Sequence, residues 1–162
     1  MFDPALFRVL PIHDTPGFGV LLPHGRQREV LLLSDADAEG ARWSYFLSED
    51  RKYVPMAITD GSSWRGLFCG DIRVRVDHTA TYDPQQEWAA RGSLIVKEGT
   101  LWLATKSANP GHFEDTRPYP LRRQGETGDG AVGYLKWVVE LGHGDDWIIV
   151  HRAEINAASG PS

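Results

Sequence analysis

The stretch that decides the fold runs from Tyr134 to Ile155, YLKWVVELGHGDDWIIVHRAEI. From Tyr134 to Leu141 the residues alternate, and Leu135, Trp137, Val139 and Leu141 share one face, as the period of two in a half-buried strand requires. Gly142-His143-Gly144-Asp145-Asp146 then supplies turn chemistry, and Trp147 to Ile155 reads as the returning strand. The segment therefore predicts a β-hairpin.

The same pattern recurs upstream. Ile72 to His78 alternates, with Ile72, Val74, Val76 and His78 on one face and Arg73, Arg75 and Asp77 on the other. Ser93 to Val96 and Thr100 to Thr105 flank Lys97-Glu98-Gly99, a three-residue turn with glycine where positive φ is needed. Trp43 to Leu47 and Tyr53 to Thr59 flank the polar turn SEDRK and predict another hairpin. Val20 to Leu22 and Glu29 to Leu33 add two short apolar strands. Helix signals are few. Asp83 to Gly92 carries Asp at the N-cap, Pro84 at the first helical position, Arg91 late and Gly92 beyond the end. Asp3-Pro4 suggests one further helical turn.

These segments amount to about nine or ten short strands and one or two short helices. Sequential strands joined by short turns favour an antiparallel barrel or sandwich, because parallel pairs need long crossover helices. The fold class is mainly β, or β-rich α+β if the helical segments count. Residues 1–155 are expected to form one globular domain, with 156–162, NAASGPS, as a flexible tail.

Composition narrows the function classes. An apolar fraction of 41% and a charged fraction of 24% in 162 residues describe a chain that buries a core. A net charge of −5 argues against broad nucleic-acid binding, which needs a concentrated basic surface. Cys69 is the single cysteine, so an internal disulfide and a zinc site of paired cysteines are both excluded. Between Phe68 and Gly70 it reads as a small buried apolar residue rather than a nucleophile. No run approaches the length of a membrane span, and MFDPALFRVLPIHD lacks a secretory pattern, so a cytoplasmic location is expected. Phosphate-loop, dinucleotide-fold and hydrolase-elbow motifs are absent, and no cofactor is implied.

Lys106 to Val132, KSANPGHFEDTRPYPLRRQGETGDGAV, shows neither helix nor strand period and holds three prolines and four glycines. A structureless connection of that length is uncommon in a compact domain and is often functional. Its four basic residues balance four acidic ones. Phe113, Tyr119 and Leu121 give it apolar anchors, so it is expected to be ordered and to cap one end of the β-structure.

Two candidate sites follow. In the first, Trp64 and Arg65 of the polar loop DGSSWRG lie above the strand face bearing Arg73 and Arg75, and Phe113, Arg117 and Tyr119 join from the long loop. Tryptophan and arginine suit an anionic ligand or an acidic partner, since each combines broad contact area with a polar handle. In the second, His78, His112, Glu114, Asp115 and His143 are the candidates for an acid–base or metal-assisted set, provided the fold brings them together. The motif HFED is short, and turn chemistry alone accounts for His143. The first site therefore leads. It describes a non-enzymatic binding module presenting loops to a protein partner or a small, anionic ligand. A hydrolase using the histidine and carboxylate set is the competing class, and a structural subunit of a homo-oligomer is the third.

Overall fold

A computed structural model describes residues 6–26, 29–47, 52–86, 89–105, 117–123 (backbone alone) and 130–156. Fourteen strands occur among the described residues, all pairing antiparallel. The first sheet contains β1 (Arg8–Pro11), β2 (Gly19–Pro23), β3 (Leu31–Leu33), β4 (Arg42–Phe46), β5 (Pro55–Ile58) and β6 (Arg65–Cys69), in the order β1-β6-β2-β3-β4-β5. The second holds β8 (Thr81–Tyr82), β9 (Leu94–Lys97), β10 (Thr100–Thr105), β11 (Arg117–Arg123) and β12 (Ala131–Tyr134), ordered β11-β10-β9-β12-β8. The third is β14-β13-β7, built from β7 (Ile72–Val76), β13 (Lys136–His143) and β14 (Asp146–Glu154). The chain is thus mostly antiparallel β with almost no helix, and its sheets do not close into a barrel.

All three sheets contribute to one core. Val20, Leu32 and Tyr45 come from the first sheet, Leu94, Leu101 and Leu103 from the second, and Trp137, Val139, Leu141 and Ala153 from the third. The first sheet is apolar on both faces. A second cluster of Ile12, Leu21, Leu31, Leu33, Phe46 and Phe68 gathers Leu10 from one edge strand and Met56 and Ile58 from the other. A flat six-stranded sheet would hold those edges far apart, so this sheet curls around its second cluster.

The third sheet has one buried and one outward face. Trp137, Val139 and Leu141 alternate inward, and the Trp137 indole Nε1 donates to the Gly92 carbonyl at 2.8 Å. The chain moves between the second and third sheets at two adjoining corners. There the Asp77 amide donates to the Lys136 carbonyl (2.9 Å) and the Leu135 amide to the Ala80 carbonyl (2.8 Å). Leu135 itself sits in the bend between β12 and β13, so the inward alternation of this hairpin begins at Trp137.

Several sequence expectations are corrected. Lys106–Val132 is not a structureless loop throughout, because Arg117–Arg123 forms β11 and pairs with the whole of β10. Pro118 and Pro120 hid this strand from a periodicity reading. They are two residues apart, so their missing N–H groups fall on the side of the strand away from β10, at the end of the sheet order among the described residues. The segment expected to be helical shows turns at Pro84–Gln86 and at Arg91–Gly92, and no helix among its described residues. The turn after β9 is two residues long, since Lys97 pairs with Thr100. Glu98 (φ 50°) and Gly99 (φ 74°) both take the left-handed backbone of a type I′ turn. No helix among the described residues is long and apolar enough to cross a membrane.

Candidate functional site

The outward face of the third sheet carries charges set in register across its three strands. Its central strand, β13, presents Lys136, Val138 and Glu140 on the side opposite Trp137, Val139 and Leu141. Register places three rows across the sheet. Lys136 lies between Asp77, whose amide donates to its carbonyl, and its β14 partner Glu154. Val138 lies between Arg75 and Arg152. Glu140 lies between Arg73 and Ile149. A bulge at Val150, between the pairs Val139–His151 and Glu140–Ile149, shifts the alternation of β14. As a result Ile149 and Trp147 share the outward face with Arg152 and Glu154.

Glu140 organises the arginines. Its side chain is only 5% exposed, whereas those of Arg73 and Arg75 are 43% and 58% exposed. Arg75 is bidentate, with Nε donating to Oε2 at 3.0 Å and Nη2 to Oε1 at 2.8 Å, and Arg73 Nε also donates to Oε2. Burial disfavours the charged carboxylate, but the hydrogen bonds and charges of both arginines outweigh it and hold the Glu140 carboxyl below the usual carboxylate range. Arg73 also stacks on Trp147, its guanidinium carbon 4.2 Å from the ring centroid. The Trp147 indole is fixed in turn by donating Nε1 to the Gly144 carbonyl at 2.7 Å.

In the first and third rows Lys136 and Glu140 each face an opposite charge, and in the middle row no carboxylate stands between the arginines. Lys136 has a carboxylate on either side, and Thr79 and Lys136 help hold Asp77 below its ordinary range. Arg75 and Arg152 instead flank a valine that is 9% exposed. Two strand spacings separate their backbones, roughly 10 Å. Among the described residues Arg152 and Lys136 make no ion pair, and Glu140 leaves Nη1 of Arg75 unengaged. A groove of about 280 Å³ lies over this region, lined by Arg75, Val76, Asp77, Lys136, Trp137, Val138, Arg152, Ala153 and Glu154. A carboxylate or phosphate oxygen over Val138 would meet guanidinium donors from two strands.

The expected cationic site is therefore rearranged. Arg73 and Arg75 do share a face, but their charge is already engaged by Glu140, and the aromatic beside them is Trp147 rather than Trp64. Trp64 packs on the second apolar cluster, edge-on to Phe46 at 5.8 Å, with the Arg26 guanidinium 4.2 Å above its ring. Arg65 is exposed at the start of β6, paired with Pro11. Arg117 and Tyr119 lie on β11, opposite Thr105 and Leu103, and Phe113 falls outside the described residues.

The histidine and carboxylate set is not assembled by what is described. His78 does not continue the apolar face of β7. It is exposed in the turn after that strand, edge-on to Tyr134 at 5.6 Å. His143 is exposed at the tip of the β13–β14 hairpin. His112, Glu114 and Asp115 fall outside the described residues. Among the described residues no three of histidine, cysteine, aspartate or glutamate come together as a metal site. Cys69 is buried, and burial raises its thiol pKa.

Glu140, Val138, Arg152, Lys136 and Trp147 were not singled out from the sequence. The alternation of Tyr134–Leu141 already turns Lys136, Val138 and Glu140 away from the core. The missing information was the pairing of β13 with β7, some sixty residues upstream.

Three antiparallel sheets around a shared core, with a charged row pattern on one outward face, define a β-rich protein with one polar sheet face. The family described as "Uncharacterised protein y4lG" matches residues 11–161, and the chain belongs to that family. It is similar to the uncharacterized protein y4lG of Sinorhizobium fredii (strain NBRC 101917 / NGR234), with 26% identity over 145 residues, covering 89% of this chain and 88% of that protein. No solved structure matches the chain.

Proposed function

We propose that this protein is a non-enzymatic binding module and that the outward face of the third sheet is its contact surface, taking an anionic group over Val138. One observation carries the reading. In a face whose other rows alternate positive and negative, the middle row sets Arg75 and Arg152 on either side of a valine, beneath a groove of about 280 Å³. That volume is near the lower end of small-molecule sites, roughly 300 Å³. Glu140 supports the reading by clamping Arg75, so an incoming anion meets a guanidinium whose freedom is already reduced.

The test is a nuclear magnetic resonance titration with sodium acetate and with sodium phosphate at constant ionic strength. Saturable shifts are expected for the backbone amides of Arg75, Val138 and Arg152, and Arg152→Gln is expected to abolish them while the remaining spectrum stays folded. Shifts that are spread over the surface, or that survive Arg152→Gln, would show that the groove is not an anion site.

A further inference from the structure

We infer that the ligand of this groove is an ω-amino acid, with its carboxylate over Val138 and its ammonium at Glu154; the inference rests on the anion-binding reading above. The distribution of charge over the face selects this class.

The face as a whole is balanced. With Asp71, whose carbonyl accepts from the Gly142 amide, it sets Arg73, Arg75, Lys136 and Arg152 against Asp71, Asp77, Glu140 and Glu154. A ligand with no net charge leaves that balance intact. The two rows that line the groove are nevertheless unlike each other. One sets two carboxylates around Lys136, and the other sets two arginines around Val138. The groove is thus acidic toward one end and basic toward the other, and a dipolar ligand laid along β13 meets an opposite charge at each end.

The side chains show which carboxylate is open. Asp77 accepts at Oδ1 from the Thr79 amide (2.8 Å) and hydroxyl (2.6 Å), and the Lys136 charge acts on it as well. Glu154 makes no ion pair or side-chain hydrogen bond among the described residues. Two strand spacings, roughly 10 Å, separate the backbones of these two acids, so Lys136 does not serve both. At the basic end Arg152 has its planar fork available among the described residues, and Arg75 keeps Nη1.

Arg152 and Glu154 share the outward face of β14, two residues apart. A ligand that joins them spans one row, about 6.8 Å of strand. An α-amino acid, whose two charged groups flank a single carbon, is too short for that span. A chain of three or four methylenes fits it.

The experiment extends the amide titration to four probes at constant ionic strength: 5-aminopentanoate, pentanoate, pentylamine and glycine. 5-Aminopentanoate is expected to shift the amides of Val138, Arg152 and Glu154 together. It is expected to bind about threefold tighter than pentanoate, the gain of one exposed ion pair. Glu154→Gln, at an exposed position, is expected to abolish that difference while pentanoate still binds. If pentanoate matches 5-aminopentanoate in the parent, or the difference survives Glu154→Gln, the ammonium contact is refuted while anion binding stands. If glycine binds as tightly as 5-aminopentanoate, the length is refuted. If pentylamine does, the groove is a cation site and both readings are overturned. If neither 5-aminopentanoate nor pentanoate moves Val138 and Arg152, the anion reading itself fails, and this inference falls with it.

Discussion

His151 is the only buried histidine among the described residues, and its surroundings make it a neutral one. Its Nε2 lies 2.9 Å from the Tyr53 hydroxyl, between the rings of Tyr53 and Trp137. Burial, aided slightly by Lys52, lowers its pKa to about 4, and burial raises that of Tyr53. With tyrosine protonated and imidazole neutral, the hydroxyl donates to Nε2. The unfolded chain binds a proton near pH 6.5 and the folded one only near 4, so stability is complete above pH 6.5 and falls as the pH drops toward 4. Urea unfolding at pH 7 and at pH 4.5 is expected to show this loss, and His151→Leu is expected to flatten it. An equal pH slope in both proteins would contradict the assignment.

Glu140 gives the second prediction at this scale. Replacing Arg73 and Arg75 together by alanine strands a buried carboxylate, which is expected to cost about 3 kcal/mol in denaturant unfolding. Adding Glu140→Val should recover most of that loss, because removing both partners removes the unmet desolvation as well. In the parent protein the carboxylate's contribution holds above its ordinary pKa and is lost as the pH falls through its depressed folded value.

Single elements show how far local sequence reaches. The β13–β14 and β9–β10 hairpins were legible because each pairs neighbours through a short turn, so alternation and turn residues suffice. Even there the turn after β9 was read one residue too long, and the backbone explains why. Glutamate is an unusual occupant of the first position of a type I′ turn, and Glu98 holds φ at 50° at some steric cost. Glu98→Asn is expected to stabilise the protein by about 0.5–1 kcal/mol in thermal unfolding. A destabilised variant would mean that the Glu98 side chain makes contacts worth more than the strain. Other elements were illegible for stated reasons. β11 is masked by its prolines. β6 is interrupted by Gly66, where an added Cβ would lie 2.1 Å from the Leu22 carbonyl oxygen, so close backbone packing demands a residue that weakens any strand signal. The segment at Pro84 carries sound helix-start chemistry, but two turns of helix depend on tertiary packing that the sequence does not display.

At the scale of the whole molecule, the β-rich class was legible and the sheet order was not. β6 inserts between β1 and β2, and β7 reaches across the chain to β13; neither pairing leaves a trace in local periodicity. The candidate site lies on one of those long-range pairings, which is why Arg73 and Arg75 were found from the sequence and their partner Glu140 was not. The same register isolates Val138 between two arginines, and the central claim is that this position lacks a carboxylate because a ligand supplies it. Val138→Glu tests the claim directly, by installing the missing charge in the middle row. The variant is expected to fold with a melting temperature no lower than the parent and to lose the acetate- and phosphate-dependent shifts at Arg75 and Arg152. A Val138→Glu protein that stays folded and still binds either probe as the parent does would contradict the account.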